Sequence, residues 1–160
     1  MKKLFIAAVL LSLSLSMTAC GAKDPVSSAL NIDASRGSEV SRYDTHSGNG
    51  DGVSCVILSF GENPILDQLR DNAEWKPFPL DETAQALVYG VTDGASRTGP
   101  FLTDAKTGEP LVPEIQNGYY TLIDRHRETD TELLHRNSFN FTMGLYDADT
   151  NTLYFCEMDT

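Results

Sequence analysis

General acid–base or nucleophilic chemistry needs a titratable base set beside an orienting acid. In this chain of 160 residues with three histidines, Asp124-Arg125-His126-Arg127-Glu128 is the segment that offers both. A hydrolytic set would join Asp124 and His126 to a serine distant in sequence, with Ser96 the candidate. No GxSxG elbow and no SxxK occur, and Gly94-Ala95-Ser96-Arg97-Thr98-Gly99 has the wrong spacing for either. Alternation at a strand end would also put the five charges around His126 on opposite faces, largely in water. Solvation therefore outweighs catalysis at this segment, and the chain reads as a binder before an enzyme. His46 falls in a polar N-terminal stretch and His135 in no ligand spacing with His126.

Metal and cofactor chemistry fares no better. Asp147-x-Asp149-x-Asn151 matches the first three oxygen positions of a calcium loop, but Thr152 and Met158 stand where the loop needs glycine and glutamate. The same residues suit a hairpin turn through their own backbone hydrogen bonds. No cofactor is expected. Arg97, in a Gly/Ser/Thr loop, could clasp a partner's carboxylate or balance Asp93 or Asp104. Trp75, beside Phe78 and Leu80 between prolines, could be an exposed partner anchor or an edge of the core. The formal charge of −11 supplies no basic stripe for phosphate, which argues against nucleic acid.

Residues 1–20 read MKKLFIAAVLLSLSLSMTAC. Lys2 and Lys3 precede an apolar run of about a dozen residues, where a spanning helix needs roughly 20, so the run reads as a removable signal. Met17-Thr18-Ala19-Cys20, followed by Gly21, resembles the lipobox of bacterial lipoproteins. The resemblance implies a diacylglyceryl group on the Cys20 thiol, cleavage in front of it, and a lipid anchor on the extracytoplasmic side of the cell membrane. The membrane, through those acyl chains, is then one partner. Two chains hold stably where one is marginal. Cleavage leaves ten basic against 23 acidic residues, a side-chain charge of −13 that anionic headgroups repel. The body is therefore expected to stand off the bilayer.

Three segments follow: a signal peptide over 1–19, a lipid-anchored flexible polar tether over 20–52, and one compact acidic domain over 53–160. The tether reading rests on Ser, Gly, Asp and Asn with no sustained apolar period. The domain begins with Val53–Phe60, a nearly continuous apolar run and so a strand covered on both faces. Asn63 as cap and Pro64 at the first position predict a helix over Pro64–Asn72. A helical turn over Asp81–Ala86 leads into a strand over Leu87–Val91. Another strand covers Tyr119–Asp124, and a helical turn Asp130–Arg136. Ser138–Leu145 alternates polar and apolar, with one face buried and one wetter, then Asp147–Asn151 turns the chain into a strand from Leu153. The class is α+β: a mostly antiparallel sheet of four to six strands with one or two short helices. Cys55 and Cys156 both fall in strands, and an oxidising exported compartment permits a disulfide, with two buried free thiols as the alternative.

Three functions compete. The first is an envelope lipoprotein whose acidic domain binds a protein, peptide or envelope ligand. The second is a small envelope hydrolase using Asp124 and His126. The third is an immunity or inhibitor lipoprotein that intercepts a basic toxin or enzyme, its charge steering the encounter.

Overall fold

The computed structural model describes residues 24–127 and 130–160, so the signal peptide over 1–19 and Cys20 lie outside the described residues. Eight strands and three short helices follow one another: α1 (Pro25–Leu30), β1 (Ser38–Asp44), β2 (Gly52–Ser59), α2 (Leu66–Asp71), β3 (Lys76–Pro77), α3 (Glu82–Val88), β4 (Val91–Asp93), β5 (Ser96–Thr98), β6 (Gly118–Asp124), β7 (Asn140–Asp147) and β8 (Thr152–Asp159). A 3-10 turn, Leu133–His135, sits between β6 and β7. Six strands form one antiparallel sheet in the order β1-β2-β8-β7-β6-β3, while β4 and β5 make a separate hairpin. The protein is α+β, as its alternation predicts.

Side chains alternate across the strands, so each strand feeds two cores. Cys55, Met143, Leu145 and Cys156 face one side, under Ala84, Leu87 and Val88 of α3 and under Leu102 and Val112. Val56, Leu58, Tyr146, Leu153 and Phe155 face the other, under Val26 and Leu30 of α1, Leu69 of α2, and Trp75. Both faces of the central strands β2, β8 and β7 are therefore covered. That corrects the expectation of one wetter face on β7, where Phe141–Tyr146 are all buried.

The polar tether expected over 20–52 is corrected across 24–52. The Asp24 carboxylate accepts from Ser27 N–H (2.9 Å), Pro25 fills the first helical position, and Asn31 closes α1 in the left-handed conformation. Val26, Leu30, Ile32 and Ala34 then enter the second core. From there β1 pairs with β2 through a turn at Ser47–Asp51. The chain folds back here because Gly52 has no side chain: a Cβ on it would come within 2.5 Å of His46 Cα.

Two local expectations fail for physical reasons. Helix α2 begins at Leu66 with Ile65 at its cap, so Asn63 does not cap it. The strand expected over Leu87–Val91 is helix as far as Val88. The Asp81 carboxylate caps α3 through Ala84 N–H (2.9 Å), and Leu87 and Val88 extend the buried stripe begun by Ala84. Cys55 and Cys156 face each other in register on β2 and β8 and form a disulfide, Cα–Cα 4.0 Å.

Candidate functional site

A groove of about 870 Å³ runs between α1 with its following loop and the sheet face of β1 and β2. Asp24, Asn31, Asp33 and Gln68 stand along its walls, and Glu39, Arg42, Val56 and Leu58 lie beneath. The groove exists because β1 reaches beyond the shelter of α1: the helix covers β2 and leaves the outermost strand open. Arg42 Nη2 holds Glu39 Oε2 at 2.6 Å, which raises the guanidinium pKa and lowers that of the carboxyl. The wall is tied by Gln68, whose Oε1 accepts from Asp33 N–H (2.8 Å).

A second hollow of about 380 Å³ shares Pro25, Val26, Arg42 and Val56 with the groove and continues it toward the end of the sheet. Its polar end is a charge cluster. His46 Nδ1 lies 2.8 Å from Asp44 and Nε2 lies 3.3 Å from Asp159, while Arg125 Nη1 reaches Asp159 at 3.0 Å. The hydrogen bond to Asp44 raises the His46 pKa above the ordinary imidazole value; partial burial opposes this and Asp159 adds to it. A raised pKa means the clamp contributes its full stability below the unfolded-state pKa and loses it as pH rises through the folded one. His46→Gln should therefore lower the unfolding midpoint at about pH 5.5 and have a much smaller effect at about pH 9. Equal losses at both pH values in thermal melts would show that His46 acts by packing alone.

The sequence candidates for catalysis separate. His126 Nε2 lies 3.2 Å from Ser138 Oγ, at a cleft of about 310 Å³ lined also by Asp130, Thr131 and Arg136. Asp124 accepts from the His126 backbone N–H (3.0 Å), but its carboxylate is gripped by Arg136 Nη1 at 2.9 and 2.7 Å. Arg136 keeps only 9% of its side chain exposed. The structure does not bring Ser96 to His126: the serine beside His126 is Ser138, while Ser96 is exposed on the β4–β5 hairpin. Pairing of β6 with β7 brings His126 and Ser138 together, just beyond the last pair, Asp124 and Phe141.

The remaining candidates have local roles. Asp147, Asp149 and Asn151 build the β7–β8 turn. Asp147 accepts from Asp149 N–H (2.9 Å) and Thr150 Oγ1 (2.8 Å), Asp149 accepts from Asn117 Nδ2 (3.0 Å), and Asn151 accepts from Tyr146 OH (3.0 Å). Arg97 is exposed on the β4–β5 hairpin. Trp75 is corrected as a partner contact: it is buried, and its indole N–H donates to Leu30 O (3.3 Å). Sequence reasoning missed Glu39, Arg42 and Ser138. The signal that could have found a folded wall ahead of β1 is Asp24-Pro25, a cap residue followed by proline, which the tether reading of 20–52 passed over.

Comparison with protein-family models, curated proteins and solved structures returns no match.

Proposed function

We propose that this chain is a lipid-anchored lipoprotein on the extracytoplasmic side of a bacterial cell membrane, whose acidic domain binds a protein or peptide in the α1–β1 groove. The lipobox-like stretch ending at Cys20 supports the anchor. The observation that carries the binding reading is the groove itself, about 870 Å³ and within the size range of ligand sites. Its rim is rich in carboxylates, and the mature charge of −13 favours a basic partner by steering. Interception of a basic toxin or enzyme is the special case in which that partner is harmful.

Placing a photo-crosslinking residue at Ser35, on the groove, should yield a discrete adduct in cells, and at Ala95, exposed at the tip of the β4–β5 hairpin, none. The adduct should stay in the membrane fraction, and in Cys20→Ala it should be found unacylated, either on unprocessed precursor or on a released domain. Adducts from Ala95 alone, or none from Ser35, refute the groove reading. A second reading, a small hydrolase with Ser138 as nucleophile and His126 as base, rests on their 3.2 Å approach. Turnover of ester or amide probes that is lost in Ser138→Ala, with the fold intact, favours hydrolysis; no turnover by the unaltered protein favours binding.

A further inference from the structure

We propose that the open edge of β1 takes up an extended, lysine- or arginine-bearing peptide segment as a seventh strand of the six-stranded sheet. The proposal deepens the binding reading of the groove and rests on it. β1 is the outermost strand, seven residues long, and among the described residues it pairs only with β2. In an antiparallel pair, backbone groups point alternately toward the partner and away from it. Thr45 N–H donates to Val53 O (3.0 Å), so Tyr43, two residues earlier, also points inward. Arg42 and Asp44 therefore turn their N–H and C=O groups outward, where a further strand would meet them. The far edge offers no such template, because β3 is two residues and one of them is Pro77.

Edge strands are normally blunted by bulges, charges or a covering element. Here the register slips once, between Glu39 and Ser41, and Val40 at the slip is 61% exposed. From Ser41 to Asp44 the pairing runs regularly. Glu39, Arg42 and Asp44 pair with Leu58, Val56 and Ser54 and share their face, so β1 presents these side chains along the groove and its continuation. An added strand would lay alternate side chains on that same face.

Charge selects the occupant. Asp24, Asp33 and Glu39 line the groove, and Asp44, Glu157 and Asp159 line its continuation. Arg42 is common to both and is offset by Glu39, and His46 and Arg125 offset part of the charge on Asp44 and Asp159, so the surplus that remains is acidic: Asp24 and Asp33 in the groove and Glu157 at its continuation. A second copy would bring −13 against −13, whereas lysines or arginines at alternate positions would meet the carboxylates.

The test uses the full chain in detergent and a labelled heptapeptide alternating lysine with threonine or valine, followed by fluorescence anisotropy. Arg42→Pro removes one outward N–H and leaves the β2-facing ladder intact; Arg42→Ala removes the same side chain and keeps the N–H. Binding should weaken roughly tenfold or more in Arg42→Pro and change less than about threefold in Arg42→Ala. With the unaltered protein, the glutamate counterpart should bind at least about tenfold more weakly. N-methylation of the lysine peptide at edge-facing amides should also abolish binding, which keeps the test valid if Arg42→Pro does not fold. Bound peptide should slow hydrogen exchange at the Arg42 and Asp44 amides. Equal binding by the proline and alanine variants, indifference to N-methylation, or no binding of the lysine peptide overturns the proposal. Self-association lost in Arg42→Pro would assign the edge to a second copy and overturn it too. Groove crosslinks from Ser35 that persist in Arg42→Pro would leave the binding reading standing while strand addition fails; no Ser35 crosslink removes both.

Discussion

Trp75→Ala should cost about 3–5 kcal/mol, the range for removing a buried large aromatic. The indole is 5% exposed and packs among Val26, Leu30, Leu69 and Tyr146. It also donates to the last carbonyl of α1, Leu30 O, so its loss frees a backbone acceptor as well as opening a cavity. Gly144, on the central strand β7, makes room for the ring: a Cβ there would lie 2.9 Å from Trp75 Cη2 and 3.0 Å from Leu30 Cδ2. Nothing large stands ready to fill the space, since β7 has no side chain at that point. Chemical denaturation reads the effect as a fall in midpoint at nearly constant slope. A loss under about 1 kcal/mol would place the indole outside the core. Trp75→Phe should keep much of the packing and lose the hydrogen bond, for an intermediate cost.

Removing the Cys55–Cys156 crosslink should cost about 2–5 kcal/mol in the Cys55→Ala/Cys156→Ala double variant. The bridge joins residues 101 apart in sequence, and for a loop of about 100 residues the chain-entropy account gives roughly 4.7 kcal/mol. Both cysteines are buried in the first core, 2% and 0% exposed. The native protein should therefore resist a thiol probe, and the protein denatured without reductant should resist it as well. Labelling only after denaturation would mean two buried thiols instead of a bridge. A reductant that leaves the urea midpoint unchanged would show that the crosslink does not constrain the unfolded chain.

How much of this was legible depends on whether a segment's neighbours are near it in sequence. Ser138–Leu145, the Asp147–Asn151 turn and the return from Leu153 were readable because β7 and β8 are adjacent and regular. The run Val53–Phe60 announced a strand covered on both faces, and β2 sends Cys55 into one core and Val56 and Leu58 into the other, with the rest of the strand half-buried. Elements α1 and β1 escaped because a helix of six residues and an edge strand with little burial carry almost no periodic signal. Leu87-Val88 was ambiguous because a short apolar run suits helix and strand alike, and the Asp81 cap decided it. His126 was visible as a base, but its serine was not. Nothing local says that β6 and β7 pair so as to set Ser138 beside it. The groove was invisible for the same reason: Asp24 and Gln68 share it through packing, not spacing.

The start of α1 carries a consequence for how such a molecule would sit on its membrane. Asp24 already caps a packed helix and lines the groove, and only Gly21, Ala22 and Lys23 stand between it and Cys20, four Cα–Cα steps in all. Fully extended, that stretch reaches about 14 Å at most. On the lipid-anchored reading, the domain cannot drift at the end of a long leash; it is moored close to the headgroups. The repulsion between its carboxylates and anionic lipid then governs tilt instead of distance, rolling the most acidic side away from the bilayer. A partner would be met in a thin layer just above the membrane, where a molecule that is itself membrane-bound searches two dimensions instead of three.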